Sequence, residues 1–212
     1  MKAVLLSIRP EWCKKILSGE KTVEIRKTRP TLMLEPFKVY IYCTMTGSDK
    51  FFTESIGRNV DEWNLWKYPK RLGRVIGEFT CGKIDKLVHV GTMGGGGFHR
   101  LNIETLDGWW KSAEGLLQAA CMTEATAEEY LQGRNGYAWH ISDLKVYDSS
   151  KPLSDFSKHG FSGLCGTNVC GNESCEYYEP SGDHMVPPTC GLNGYCTLQR
   201  APQSWCYVEE LT

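Results

Sequence analysis

LSGEKTVEIRK, residues 17–27, changes its period halfway along. Before it, Trp12, Ile16 and Leu17 share one helical face. Pro10 suits the first turn of that helix, and Gly19 stops it. From Thr22 the repeat becomes two: Val23 and Ile25 point one way, Thr22, Glu24 and Arg26 the other. Lys21 stands at the turn feeding this strand. Lys21, Glu24 and Arg26 are therefore expected either to converge on one concavity or to form the wetted face of an exposed strand. An ion pair on such a face adds little to stability.

The surrounding chain supplies partners for that strand. Lys2 to Ile8 reads as a strand, and FKVYIYC (37–43) alternates with Phe37, Val39, Ile41 and Cys43 on its core face. RVIGEFTCGKIDKLVHV (74–90) reads as one long strand bent at Gly77 and Gly82, which suit bulges or barrel corners. MGGGGFHR (93–100) reads as a flexible loop, followed by a helix over roughly 106–120. Thr126 and Glu129 have the spacing of a capping box, for a helix that Gly133 ends. YAWHI (137–141), LKVYD (144–148) and SWCYVEEL (204–211) complete the strands. The expected fold is α+β: a small, mostly antiparallel β-barrel with flanking helices.

At 212 residues, 41% hydrophobic and 23% charged, the chain has enough apolar residues for a real core. The apolar run in MKAVLLSIRPEW is too short for a signal peptide, and nothing approaches the roughly 20 apolar residues of a membrane span. A soluble, cytoplasmic protein is expected. The net charge of −1 is uninformative, but residues 1–38 carry nine Lys/Arg against four acids, and residues 165–212 carry six acids against Arg200 alone. That asymmetry can place a positive patch on one face, where a polyanion would feel it.

Ten cysteines call for an explanation. Cytosolic thiols stay reduced, so a disulfide scaffold is not expected. Cys13, Cys43, Cys81 and Cys121 are scattered among apolar residues and read as small hydrophobes. Cys165, Cys170 and Cys175 fall at C-x4-C-x4-C, and Cys190 and Cys196 at C-x5-C, with Gly163, Gly166, Gly171, Gly182, Gly191 and Gly194 among them. Zinc takes four soft ligands in a tetrahedron. Three of the set would be Cys165, Cys170 and Cys175, the fourth Cys190 or Cys196, with His184 and His159 in reserve. The segment has few large apolar residues, so a structural zinc would explain how it folds. Cys206 lies in the expected last strand and reads as packed. The chain thus divides into a domain over 1–156, a Cys-rich insertion over 157–198, and a strand over 199–212 returning to the barrel.

Gly19, Lys21, Glu24 and Arg26 match G-x-K-x-x-E-x-R, and in this they resemble the motif of the ASCH domains, a branch of the PUA-like superfamily. The order of elements over roughly 1–156 is similar too: strand, short helix, motif strand, and a late YAWHIS-L-VYD strand pair carrying Trp139. KPLSDF (151–156) and APQSWCYVEEL (201–211) resemble the ends of a bacterial and phage-associated subset. The resemblance implies a pseudo-barrel with a cleft where Lys21, Glu24 and Arg26 face RNA or a modified nucleotide. Lysine and arginine can hold phosphate, a glutamate can accept from an exocyclic amine, and aromatics can stack an unpaired base. Trp139 is the first candidate for that stacking, or else a core tryptophan.

WNLWKYPKRLGR (63–74) adds Lys67, Lys70, Arg71 and Arg74 interleaved with Trp63, Trp66 and Tyr68, the materials of single-strand binding or of a half-buried loop. A subgroup of ASCH proteins hydrolyses N4-acetylcytidine with a lysine and a threonine of the motif strand and a remote glutamate. Lys21 matches the lysine. The threonine position holds Glu24, so that nucleophile is missing, and Glu78 is a candidate for the glutamate only through its place near a strand bend. If the chain is an enzyme, Lys21 and Glu24 form an acid–base pair, or Lys21 and Arg26 act with His99 or His140 as a ribonuclease. Binding leads over catalysis in this reading. A third class is a protein-interaction adaptor from a mobile element.

Overall fold

The computed structural model describes residues 2–31, 33–45, 72–91, 99–157, 178–183, 185–186, 188–190, 197–198 and 200–211. The fold is mixed α+β, dominated by one curled sheet. β1 (Lys2–Ile8) runs parallel to β3 (Phe37–Cys43) and antiparallel to β10 (Trp205–Glu209). β3 continues antiparallel into β4 (Arg74–Gly91), and β4 into β5 (His99–Glu104) and β6 (Trp110–Ser112). The other edge of β4 pairs with β7 (Gly136–Lys151), which also carries β2 (Val23–Arg26). α1 (Pro10–Leu17) lies between β1 and β2; α2 (Glu114–Ala119) and α3 (Glu124–Leu131) lie between β6 and β7. A small ladder joins β8 (Tyr178–Glu179) to β9 (Thr189–Cys190).

β4 pairs with three strands along its length, β3, β5 and β7, and it bends between them. Its register on β7 slips between Val75 and Gly77 and again between Cys81 and Ile84, so Gly77 and Gly82 do sit at irregularities. At Gly77 the reason is steric: a Cβ there would come within 2.6 Å of the Lys145 carbonyl oxygen. The curl gathers Val4, Leu6, Val39, Ile41, Phe79 and Trp139 into one core, while Val23 and Ile25 pack with Leu87, Leu101, Leu117 and Leu131 into a second. Among the described residues β1 and β2 share no backbone ladder. Side chains seal the gap: Arg26 Nη2 donates to the Ser7 carbonyl at 2.6 Å, and the Trp205 indole N–H to Thr28 Oγ1 at 2.9 Å.

Three local expectations need correction. The helix expected over 106–120 is a hairpin followed by the short α2. Gly108, at φ +80°, makes the turn that Thr105 closes onto the Trp109 carbonyl, and that turn outweighs the helical spacing of the apolar residues. The capping box begins three residues earlier: Thr123 is the N-cap and Thr126 its reciprocal partner. YAWHI and LKVYD are halves of the single bulged β7, with Asp143 at φ +48° between them.

Ser157 bridges to Thr197, and Leu198 N–H donates to the Phe156 carbonyl at 2.8 Å. No helix among the described residues is long and apolar enough to cross a membrane.

Candidate functional site

α1 and the turn after it aim Lys21 inward. Gly19 takes φ +75°, its N–H returns to the Ile16 carbonyl, and the Lys21 N–H returns to the Lys15 carbonyl at 2.9 Å. The next N–H, of Thr22, reaches the Ala119 carbonyl at the end of α2. The period-two alternation of β2 then does the rest. Val23 and Ile25 go to the second core, and Glu24 and Arg26 go to the opposite face with Lys21.

The three charged residues are buried, at 2% (Lys21), 6% (Glu24) and 8% (Arg26) exposure, so the reading as a wetted strand face is excluded. Glu24 bridges the two cations, with Oε2 at 3.3 Å from Lys21 Nζ and Oε1 at 3.0 Å from Arg26 Nη2. Lys21 Nζ also donates to the Ala120 carbonyl at 2.7 Å and lies 4.9 Å from the centre of the Trp12 ring. An isolated buried charge is costly, and here each charge has a partner. Two buried donors remain without one among the described residues, Arg26 Nε–H and the Trp139 indole N–H.

Lys21, Glu24 and Arg26 form the floor of an open cleft of about 500 Å³. β1 and α1 supply Ser7, Arg9 and Trp12 to its walls; α3 supplies Thr126, Glu129 and Tyr130; Lys27 and Gln132 complete the mouth. Burial pushes the Tyr130 phenol up from its ordinary value, and the Arg26 guanidinium pulls it back. The volume falls within the usual range for small-ligand sites.

The structure therefore brings Lys21, Glu24 and Arg26 together, and it rearranges the other expectations. Trp139 is fully buried, edge-on to Phe37 at 5.9 Å and tilted against Trp205 at 6.0 Å. It belongs to the core and does not line the cleft. Trp12 and Tyr130 are the aromatics that do. Trp12 shares one helical face with Ile16 and Leu17 and is only partly buried, and Tyr130 stands on a helix whose inward face the sequence alone does not mark. Arg74 does not reach the cleft; its Nε and Nη2 hold Ser150 on β7, tying two strands together. Lys67, Lys70 and Arg71 lie outside the described residues, as do Cys165, Cys170, Cys175, Cys196 and the side chain of Cys190.

The candidates for hydrolytic chemistry are held elsewhere. Glu78 accepts from the Tyr147 hydroxyl at 2.5 Å and lies 3.9 Å from Lys38, away from the cleft lining. His140 Nε2 is 2.8 Å from Asp85 Oδ2, also outside that lining. The side chain of His99 lies outside the described residues. Among the described residues no group of three or more His, Cys, Asp or Glu side chains is placed to hold a metal ion.

The chain is similar to crystal structures of ASCH from Zymomonas mobilis, each at 19% identity. A single-residue mutant matches over 72% of this chain and 77% of its own, with a TM-score of 0.41. ASCH itself matches over 71% and 73%, at 0.41, and a second mutant over 71% and 74%, at 0.40. No family model and no curated protein matches the chain.

Proposed function

We propose that the chain is an ASCH-type, PUA-like domain whose cleft binds RNA or a modified nucleotide. One observation carries this reading: an ion cluster of Lys21, Glu24 and Arg26 is buried at the floor of a cleft that stays open to solvent. A buried ionic cluster is weak evidence for a stability role, because hydrophobic residues of similar volume do as well or better. Its place under an open cleft suits recognition. Trp12 and Tyr130 in the walls provide faces for a base, and Arg9 and Lys27 at the mouth provide positive charge.

Binding is favoured over hydrolysis on a specific ground. Where the N4-acetylcytidine hydrolases carry a threonine, Glu24 is locked between two cations, and Glu78 is committed to Tyr147 and Lys38. Neither carboxylate is free to act as the nucleophile or base of that mechanism.

The test is fluorescence anisotropy with short RNA and DNA oligonucleotides, with and without N4-acetylated cytidine, on wild type, Glu24→Gln and Tyr130→Ala. Weaker binding by both variants is expected. Equal binding by all three proteins rejects the cleft, and release of acetate from the modified RNA replaces binding with hydrolysis.

A further inference from the structure

The cations at the cleft floor are already committed. Glu24 takes one oxygen to each, Lys21 also donates to the Ala120 carbonyl, and Arg26 Nη2 also donates to the Ser7 carbonyl. A phosphate arriving there meets the Glu24 carboxylate at once. It can gain the cations only by stripping them from a carboxylate that is itself buried, which leaves that charge unpaired. The floor is therefore a poor phosphate site, although lysine and arginine in a motif invite that reading.

What the floor does offer is a hydrogen-bond donor. Arg26 Nε–H is buried and has no partner among the described residues, on a side chain only 10% exposed that lines the cleft. A pure donor of this kind needs an acceptor, and a neutral carbonyl oxygen supplies one without competing for the Glu24 ion pairs. The mouth has the opposite character. The Arg9 side chain is 72% exposed, and the carboxylate of its recorded ion pair, Glu11, is 4.0 Å away. Lys27 reaches the Gln132 side-chain oxygen at 3.1 Å and lies 5.4 Å from the Tyr130 ring centre, at the end of α3. Glu129 disfavours an anion along the middle of the α3 wall.

We infer that the cleft orients its ligand: a neutral, carbonyl-bearing ring goes inward onto Arg26 Nε, and the phosphate stays at the mouth on Arg9, with Lys27 assisting. This rests on the nucleotide-binding reading above and adds a polarity to it. The ring enters between Trp12 and Tyr130, and the backbone of a longer strand runs across the mouth without entering the floor.

The experiment measures RNA affinity against salt concentration for wild type, Arg9→Ala and Arg26→Lys. Each lost phosphate contact on a single strand lowers the slope of log K against log salt by about 0.7. Arg9→Ala is expected to lose about that much slope. Arg26→Lys is expected to bind about tenfold more weakly at every salt, with the slope unchanged. The reverse assignment, slope lost at Arg26 and kept at Arg9, overturns the proposal. A second measurement needs no variant: the Arg26 Nε–H resonance of the wild-type protein is expected to move on adding RNA and to stay in place with inorganic phosphate at equal ionic strength. Movement with phosphate alone overturns the orientation. Absence of any RNA binding by wild type removes the nucleotide reading itself, a result distinct from either reversal.

Discussion

Lys21 Nζ donates to the carbonyl of Ala120 across 99 positions of sequence, at 2.7 Å. The bond ties the motif turn to the end of α2, next to the N–H of Thr22 on the Ala119 carbonyl. Substitution at the cleft floor therefore changes stability as well as binding, and the two must be measured separately. Lys21→Met removes one charge and leaves Glu24 paired with Arg26, for an expected loss of about 1–3 kcal/mol. Glu24→Ala leaves two buried cations without their carboxylate, for about 3–5 kcal/mol. Urea unfolding of the two variants should show that order.

Tyr130 and Trp139 should separate cleft from core. Tyr130 lines the cleft with more than a third of its surface exposed, and Trp139 is fully buried. Tyr130→Ala is expected to weaken oligonucleotide binding by about 1–3 kcal/mol, the contribution of one stacked base, with a small change in melting temperature. Trp139→Phe is expected to lower the melting temperature and to leave the affinity of the folded protein unchanged. Calorimetry on the same two variants checks both halves.

Acid should weaken the β4–β7 pairing through Asp85. Burial acts to raise its pKa, but hydrogen bonds from Lys83 at 2.7 Å and His140 at 2.8 Å outweigh that and leave it below the ordinary carboxylate value. With the folded value depressed, the unfolded chain binds the proton first. The contribution is thus present above about pH 4 and lost as pH falls through the folded value. The urea midpoint of wild type should fall more steeply below pH 4 than that of Asp85→Asn.

The barrel cysteines should be inert in the native state. Burial pushes the Cys81 thiol up to about 12, a backbone hydrogen bond offsetting part of the effect, and burial also raises Cys13. The thiolate is the reactive form. Iodoacetamide labelling at pH 8 followed by peptide mapping should leave Cys13 and Cys81 unmodified until the protein is unfolded, and Cys43 as well because it is shut away from the reagent at 1% exposure.

The Cys-rich segment is tested by metal content. One zinc per chain is expected in protein purified without added metal, carried by Cys165, Cys170, Cys175 and one of Cys190 and Cys196. Cys170→Ser should lose it, and a metal-free wild type would refute the assignment.

Much of the architecture was legible because its signals are local. A period of two in FKVYIYC and VEIR is a property of the pleat, and the bend of β4 is written in Gly77, where a side chain would strike the Lys145 carbonyl. The misreadings have local causes as well. Over 106–120 the apolar spacing mimicked a helix, while the Asp107–Gly108 turn made a hairpin. A strand pair at 137–148 was the single β7, because Asp143 adopts a positive φ and the ladder continues past it.

Residue order was enough to place Glu24 and Arg26 on one face of β2 and Lys21 at its entrance, since alternation along a strand needs nothing beyond backbone geometry. Whether that face is wet or buried depends on groups remote in the chain. Ala120 accepts from Lys21, Ser7 accepts from Arg26, and α3 brings Tyr130 to the opposite wall. The same distance effect took Trp139 out of the site: on β7 it pairs directly with Glu24, and it is Phe37 and Trp205, arriving from other strands, that enclose its ring. A periodic pattern states which side chains travel together, and packing between distant segments sets the dielectric and the partners they meet.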